Sequence, residues 1–308
     1  MRKKSLETVY KLAKKNKKVI FIGSDLSPDT LAEFKKEMPE RYIMEGVSEQ
    51  HIVGMSAGLA LHGFRVYINT ISTFFSRRAL EQIILDLSLH HLPVTMIGNG
   101  GGAVYAPLGP THVAHEDVSI LLSVPNINIF IPCDPNEVEE IIHQTLKQKN
   151  PSYIRLCKGG EKNLKFKDKF KIFEPRYLKK NTKSKLIIIS TGICTSIAND
   201  VYDILKKDNY EIDVLHLHSI KPINTNKIYQ SVKNKDYIVT MEEISETNGL
   251  KNILNQILIS KNIKGKICNF CLKDEFVYNH GSQTDILKMN KLEKNLIYKK
   301  IKNLLKKI

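Results

Sequence analysis

Short apolar runs recur along the chain, separated by stretches with helical spacing. The first, 19–23 (VIFIG), is closed by glycine, as a buried strand should be. Similar runs follow at 65–69 (RVYIN), 93–97 (PVTMI), 127–131 (INIFI) and 152–155 (SYIR). Between them the pattern predicts helices over 49–62, 76–91 and 136–148. The last is opened by Asp134-Pro135 and an acidic first turn, where proline costs no hydrogen bond and negative charge meets the helix dipole. Strands alternating with helices of this length imply βαβ units and a mainly parallel sheet.

From 159 to about 185 the chain turns lysine-rich and loses its period, which predicts a linker. A second alternation starts with the apolar run at 186 (LIIIST). It continues with a helix near 194–207, strands near 211–217 and 236–241, a helix near 248–260, a strand around 265–270 and closing helices from 283. The expected organisation is therefore α/β throughout: a parallel-sheet domain over 1–158, a linker over 159–185 and a smaller α/β domain over 186–308.

Composition adds limits. The chain has 308 residues, 42% hydrophobic and 26% charged, the balance of an ordinary soluble protein with room for two cores. No stretch approaches the 18 or so uninterrupted apolar residues of a membrane span. The first residues, MRKKSLETVYKLAKKNKK, lack the apolar segment of a secretory signal, so a cytoplasmic location is expected. The net charge is +15, but the lysines cluster at 14–18, 161–185 and 288–307 without an aromatic-basic motif or zinc finger. Attraction of anionic substrates or of an acidic partner chain is the better use of that charge, and no nucleic-acid role is expected. Five cysteines are scattered, which argues against a disulfide framework. Cys268 and Cys271 form a CxxC on an alternating, strand-like segment, and no second pair completes a zinc site.

Chemistry gathers in a few segments. In MEGVSEQHIVGMSAGLALHGFRVY (44–67), Glu49 sits where a loop enters a helix rich in Gly and Ala, small residues that allow another helix or subunit to approach. Taken alone, Glu49 is equally a first-turn glutamate complementing the helix dipole. INTISTFFSRRALEQIILDL (68–87) contains Phe74, which in isolation reads as a core residue. LGPTHVAHEDVSILLSVPNINIFIPCDPNEVEEII (108–142) contains His112, for which helix-capping by the Thr111-His112 region is the bland reading. His112, His115 and Glu116 make only a weak metal pattern.

Taken in order, these segments resemble the pyrimidine-binding domain of transketolases. The opening at Arg2, IKP (220–222), MEE (241–243) and YNHGSQTDIL (278–287) extend the resemblance over essentially the whole chain. It is similar to the C-terminal subunit of split transketolases and to the matching part of 1-deoxyxylulose-5-phosphate synthases. The resemblance implies a thiamine-diphosphate-binding, pyrimidine-type domain followed by a transketolase C-terminal-like domain. It implies that Glu49 is the carboxylate that shares a proton with the cofactor's aminopyrimidine, and that Phe74 stacks on that ring, as a flat hydrophobe can. Burial of such a carboxylate would favour its protonated form. It places His112 beside the reacting carbon, Asp25 close to the cofactor, and Arg2, Arg77 and Lys158 near the substrate's anionic end, where arginine's fork suits phosphate.

Other features are missing or changed. Gly-Asp-Gly, the usual start of the family's magnesium-diphosphate site, occurs nowhere in the chain. Magnesium ligands are therefore expected on a partner, an N-terminal transketolase-like subunit, in a heterotetramer in which this chain also self-associates. No metal ligand is assigned here. Leu108 stands where relatives place an aspartate, and Gly100 where transketolases carry a histidine. Gly98–Gly102 then reads as an opened volume with backbone amides able to receive an anion. The expected function is two-carbon ketol transfer to an aldehyde acceptor, a non-standard or modified sugar being favoured by these changes. The alternatives are a 1-deoxyxylulose-5-phosphate synthase-like enzyme, a decarboxylating component like the beta chain of 2-oxoacid dehydrogenases, or a non-catalytic scaffold.

Overall fold

The computed structural model describes residues 1–24, 28–157, 159–181, 183–278 and 280–308. In chain order the first part runs α1 (Arg2–Lys15), β1 (Val19–Gly23), α2 (Ala32–Glu37), β2 (Tyr42–Met44), α3 (Glu49–Leu61), β3 (Arg65–Ile71) and α4 (Ser72–Arg78). It continues with the short α5 (Leu80–Gln82), β4 (Thr95–Asn99), α6 (Asp117–Leu122), β5 (Asn128–Phe130), α7 (Pro135–Thr145) and β6 (Ser152–Leu156). The second part runs β7 (Arg176–Lys179), β8 (Leu186–Ser190), α8 (Cys194–Lys207), β9 (Asp213–His216), β10 (Ser219–Lys221) and α9 (Thr225–Val232). It closes with β11 (Tyr237–Ser245), α10 (Leu250–Ser260), β12 (Lys266–Leu272), α11 (Gln283–Met289) and α12 (Lys294–Leu305). A π-helical segment, Ile83–Ser88, continues α5.

Two sheets organise the molecule. The first has the order β10-β5-β6-β4-β3-β1-β2 and is parallel except for β10. The second has the order β12-β11-β8-β9-β7 and is parallel except for β7. Every residue of β1, β4, β6 and β8 is buried, which explains why these strands read as continuous apolar runs rather than alternating ones.

Two strands depart from the sequence reading. The stretch 159–185 is not wholly linker, because β7 lies within it and pairs antiparallel with β9, burying Arg176 and Leu178. β10, from the second part, crosses back to form the edge of the first sheet, Ser219 pairing with Phe130. The two parts therefore share a sheet edge. The helix expected over 76–91 is broken into α4, α5 and the π segment.

α3 shows why the sequence folds as it does around the site. Ile52, Val53, Ser56, Ala57 and Ala60 are buried at the spacing of one helical face, which fixes the rotation of the helix. The same rotation buries Glu49 in its first turn at 2% exposure. Parallel register brings Gly23 level with Asn69, and Thr70 level with Gly98. The carboxyl ends of β1, β3 and β4 thus present Ser24, Thr70 and Asn99 together, the end at which open α/β sheets build their ligand sites.

Candidate active site

Glu49 sits at this end of the sheet. Its Oε1 accepts a hydrogen bond from Thr70 Oγ1 at 3.3 Å, and Thr70 accepts one from Ser24 at 3.2 Å. Its Oε2 lies 3.1 Å from Arg78 Nη1. A buried carboxylate without such partners would be costly, so Thr70 and Arg78 account for its presence.

Phe74, one turn before Arg78 on α4, is half-buried. The Arg78 guanidinium lies over its ring, 3.9 Å from the centroid. His112 approaches the same ring edge-on, 5.3 Å between centroids at 67°. The structure therefore joins three of the residues singled out in sequence: Arg78, which was not among them, links Glu49 to Phe74, and Phe74 meets His112. No signal in the sequence distinguishes Arg78 from its neighbour.

Arg77 behaves differently from its expected role. It donates to the carbonyls of Pro110 (3.1 Å), Thr111 (3.2 Å) and Val113 (3.1 Å) and pairs with Glu116. Those bonds consume most of the guanidinium and pin the segment bearing His112. Arg77 is thus a loop anchor rather than a free anion ligand. The His112 ring Nδ1 meets Thr111 Oγ1 at 2.8 Å. Burial, followed by the charges of Arg78 and Arg77, holds the His112 imidazole below its ordinary pKa, so it is neutral near pH 7.

Arg2 lies half-buried at the start of α1. Asp25 and Lys158 lie outside the described residues. His112, His115 and Glu116 do not converge as metal ligands; Glu116 is engaged by Arg77, and by His115 at 3.2 Å.

The glycine run also differs from expectation. Gly98–Gly102 is buried throughout. The Gly101 amide donates to Leu156 and the Gly102 amide to Ala114, so neither is offered to an anion. A Cβ on Gly100, which has φ +75°, would fall 2.0 Å from the Tyr105 ring. Tyr105 fills the space that the missing side chain leaves. Leu108 is 52% exposed at the end of a short turn over Ala106–Leu108. Within MEE, Glu243 accepts from the Ala103 amide and from Gln283 of the YNHGSQTDIL segment. That motif thereby braces the glycine loop from the second part of the chain.

Residues 1–161 match the transketolase pyrimidine binding domain, and residues 176–297 match the transketolase C-terminal domain. The chain belongs to the transketolase family. It is 29% identical over 307 residues to an apulose-4-phosphate transketolase subunit of Phocaeicola vulgatus, covering 99% of this chain and 97% of that one. To the 1-deoxy-D-xylulose-5-phosphate synthase of Clostridium tetani it is 31% identical over 306 residues, 97% of this chain but 48% of the synthase. The chain thus spans nearly all of the first relative and about half of the second. Among solved structures, a split-gene transketolase described as an inactive beta4 tetramer superposes with a TM-score of 0.88 at 25% identity, covering 98% of this chain and 97% of that one.

This transketolase-family subunit is consistent with a transferase, and the family generally uses thiamine diphosphate with a divalent metal. Glu49, Phe74 and His112 fit the pyrimidine half of that cofactor in their chemistry: a buried carboxylate, a half-buried aromatic face and an imidazole set edge-on to it. No helix among the described residues is long and apolar enough to cross a membrane.

Proposed function

We propose that this chain is the pyrimidine-binding subunit of a two-chain transketolase that moves a two-carbon ketol unit to an aldehyde acceptor. The observation that carries this reading is the Glu49–Arg78–Phe74–His112 cluster, in which a buried carboxylate stands beside an aromatic face carrying a flat cation. Arg78's guanidinium offers Glu49 a donor while stacking on Phe74, the same two contacts that a planar aminopyrimidine would need. Binding of that ring therefore requires Arg78 to swing off the Phe74 face.

The thiamine cofactor, when bound, supplies the carbon nucleophile and the electron sink. Glu49 holds a proton between its carboxyl and the pyrimidine ring nitrogen. Phe74 fixes the plane of that ring. His112, neutral at working pH, is able to accept a substrate hydroxyl proton and return it. The diphosphate and its magnesium are assigned to a partner chain, a reading supported by the absence of Gly-Asp-Gly from the sequence. Exposed Leu61, Leu85 and Leu89, with the open surface at Gly58, support a face for association with that partner or a second copy of this chain.

The donor and acceptor follow less directly. Leu108 replaces a hydroxyl-binding carboxylate, while the extra room expected at Gly100 is taken by Tyr105. A bulky acceptor therefore gains no volume at Gly100, and what distinguishes the pocket is the apolar Leu108. Arg2 and Lys158 remain the proposed anion contacts and Asp25 a cofactor neighbour. The name of the Phocaeicola relative makes apulose 4-phosphate the first substrate to compare with ribose 5-phosphate. A second reading, a decarboxylating synthase, is favoured by the 31% identity to the clostridial enzyme. Release of carbon dioxide from pyruvate by the reconstituted pair would select it.

The test of the leading reading is Glu49→Gln. In the reconstituted enzyme, proton–deuterium exchange at the cofactor's reactive carbon should slow by about 10²–10⁴-fold, the usual loss for an acid-base group. Exchange at the parental rate would remove Glu49 from this role.

A further inference from the structure

Away from Glu49, a second polar cluster is buried where the two parts of the chain meet. Cys133 lies just before α7, Glu137 in its first turn, and His216 at the end of β9. One ligand-type atom from each lies within 4.8 Å of the other two, and all three residues are buried. His216 Nε2 is 2.7 Å from Glu137 Oε2, and its Nδ1 meets Thr195 Oγ1 at 2.7 Å, the outer hydrogen bond that orients a metal-bound histidine. His218 is wholly buried, and neither ring nitrogen has a hydrogen-bond partner of ordinary geometry. Its Nδ1 points at the same carboxylate, 3.7 Å from Glu137 Oε1, with the Lys171 backbone the other polar neighbour.

We propose that Cys133, Glu137, His216 and His218 form a tetrahedral site for a divalent transition metal, zinc by preference, that clamps the two parts of the chain together. Sulfur, carboxylate and two imidazoles are a donor set suited to zinc. The ion gives the His218 nitrogen that faces Glu137 a closer partner than the carboxylate 3.7 Å away. The surrounding charge favours a cation: Asp134 and Glu137 are both buried, Asp134 accepts from the Glu137 and Leu164 amides, and the one guanidinium beside Glu137, that of Arg176 at 3.3 Å from Oε1, is shared with Asp168. Phe166 and Phe170 cover the cluster, stacking on Arg176 and on the histidine rings. An open cleft carrying Glu139, Glu140 and His143 leads to Glu137 and gives the ion a way in. Binding replaces the His216–Glu137 hydrogen bond with two metal bonds: the proton between them passes to His216 Nδ1, which then donates to Thr195 Oγ1, and the Cys133 thiol proton leaves to solvent, with no change in oxidation state.

The experiment is a titration of the chelator-treated chain with Co²⁺, followed by competition with Zn²⁺. The expected result is one tight equivalent, with the visible bands of a tetrahedral ion and a near-ultraviolet thiolate-to-cobalt band. Zn²⁺ should erase both and raise the unfolding midpoint by several degrees. Cys133→Ser should abolish the thiolate band, while the double variant Cys268→Ser/Cys271→Ser should keep it. Absence of a thiolate band in the parent chain overturns the proposal, whatever the variants do. So does a band that vanishes with the Cys268/Cys271 pair instead.

Discussion

Arg77 and Arg78 are adjacent in sequence and do different work. Arg77 spends its donors on the carbonyls of the His112 segment, and Arg78 joins Glu49 to Phe74. Glu49, Phe74 and His112 stand out in sequence because each sits in a segment that resembles a family motif, and the structure brings them close together. The division of labour between the arginines does not stand out, because it depends on which face of α4 each occupies. Arg78 also sets the charge felt by His112, whose pKa is held down first by burial and then by Arg78 and Arg77. Arg78→Ala should therefore raise the His112 pKa toward its ordinary value, so that the imidazole protonates at higher pH as the solution is acidified. An NMR titration of the His112 ring reads this directly. An unchanged midpoint would mean that Arg78 does not face the ring in solution.

At the scale of elements, the long apolar runs were legible, and helix α8 falls on the residues its pattern predicts. β7 and β10 were not, because four- and three-residue edge strands carry too few apolar positions to show a period. The glycine loop misled for another reason. Composition shows which side chains are missing but not that Tyr105 folds back into the space. The MEE motif has a structural consequence as well. Glu242 accepts from the Leu250 amide at 2.6 Å and from the Lys251 amide, satisfying the exposed end of α10. Burial nevertheless pushes its carboxyl up to about 7. An acid whose pKa is raised by folding contributes stability below its unfolded value, and that contribution is lost as pH rises through about 7. The loss is on the order of 3 kcal/mol. Glu242→Gln removes this titration. Between pH 5 and 8 the parent's unfolding midpoint should fall relative to the variant's, and parallel pH profiles for the two proteins would contradict the prediction.

At the scale of the whole molecule, the family likeness extends end to end. The chain matches nearly the full length of a split relative and about half of a one-chain synthase. Residues 1–161 match the pyrimidine binding domain, and the sequence lacks Gly-Asp-Gly. This makes a thermodynamic demand. On the proposed reading Arg78 lies on the Phe74 face that the ring takes and a partner anchors the diphosphate, so the affinity of this chain alone should be weak and indifferent to magnesium. With a partner supplying the anchor, both halves act on one ligand, and affinity should rise by orders of magnitude and depend on magnesium. Isothermal calorimetry of thiamine diphosphate tests this most directly, using the chain alone and the chain mixed with a transketolase-like partner that carries Gly-Asp-Gly, each with and without magnesium. The account predicts little or no heat from the isolated chain and tight, magnesium-dependent binding by the mixture. Magnesium-dependent binding of about micromolar Kd, roughly 8 kcal/mol, by this chain alone would contradict it.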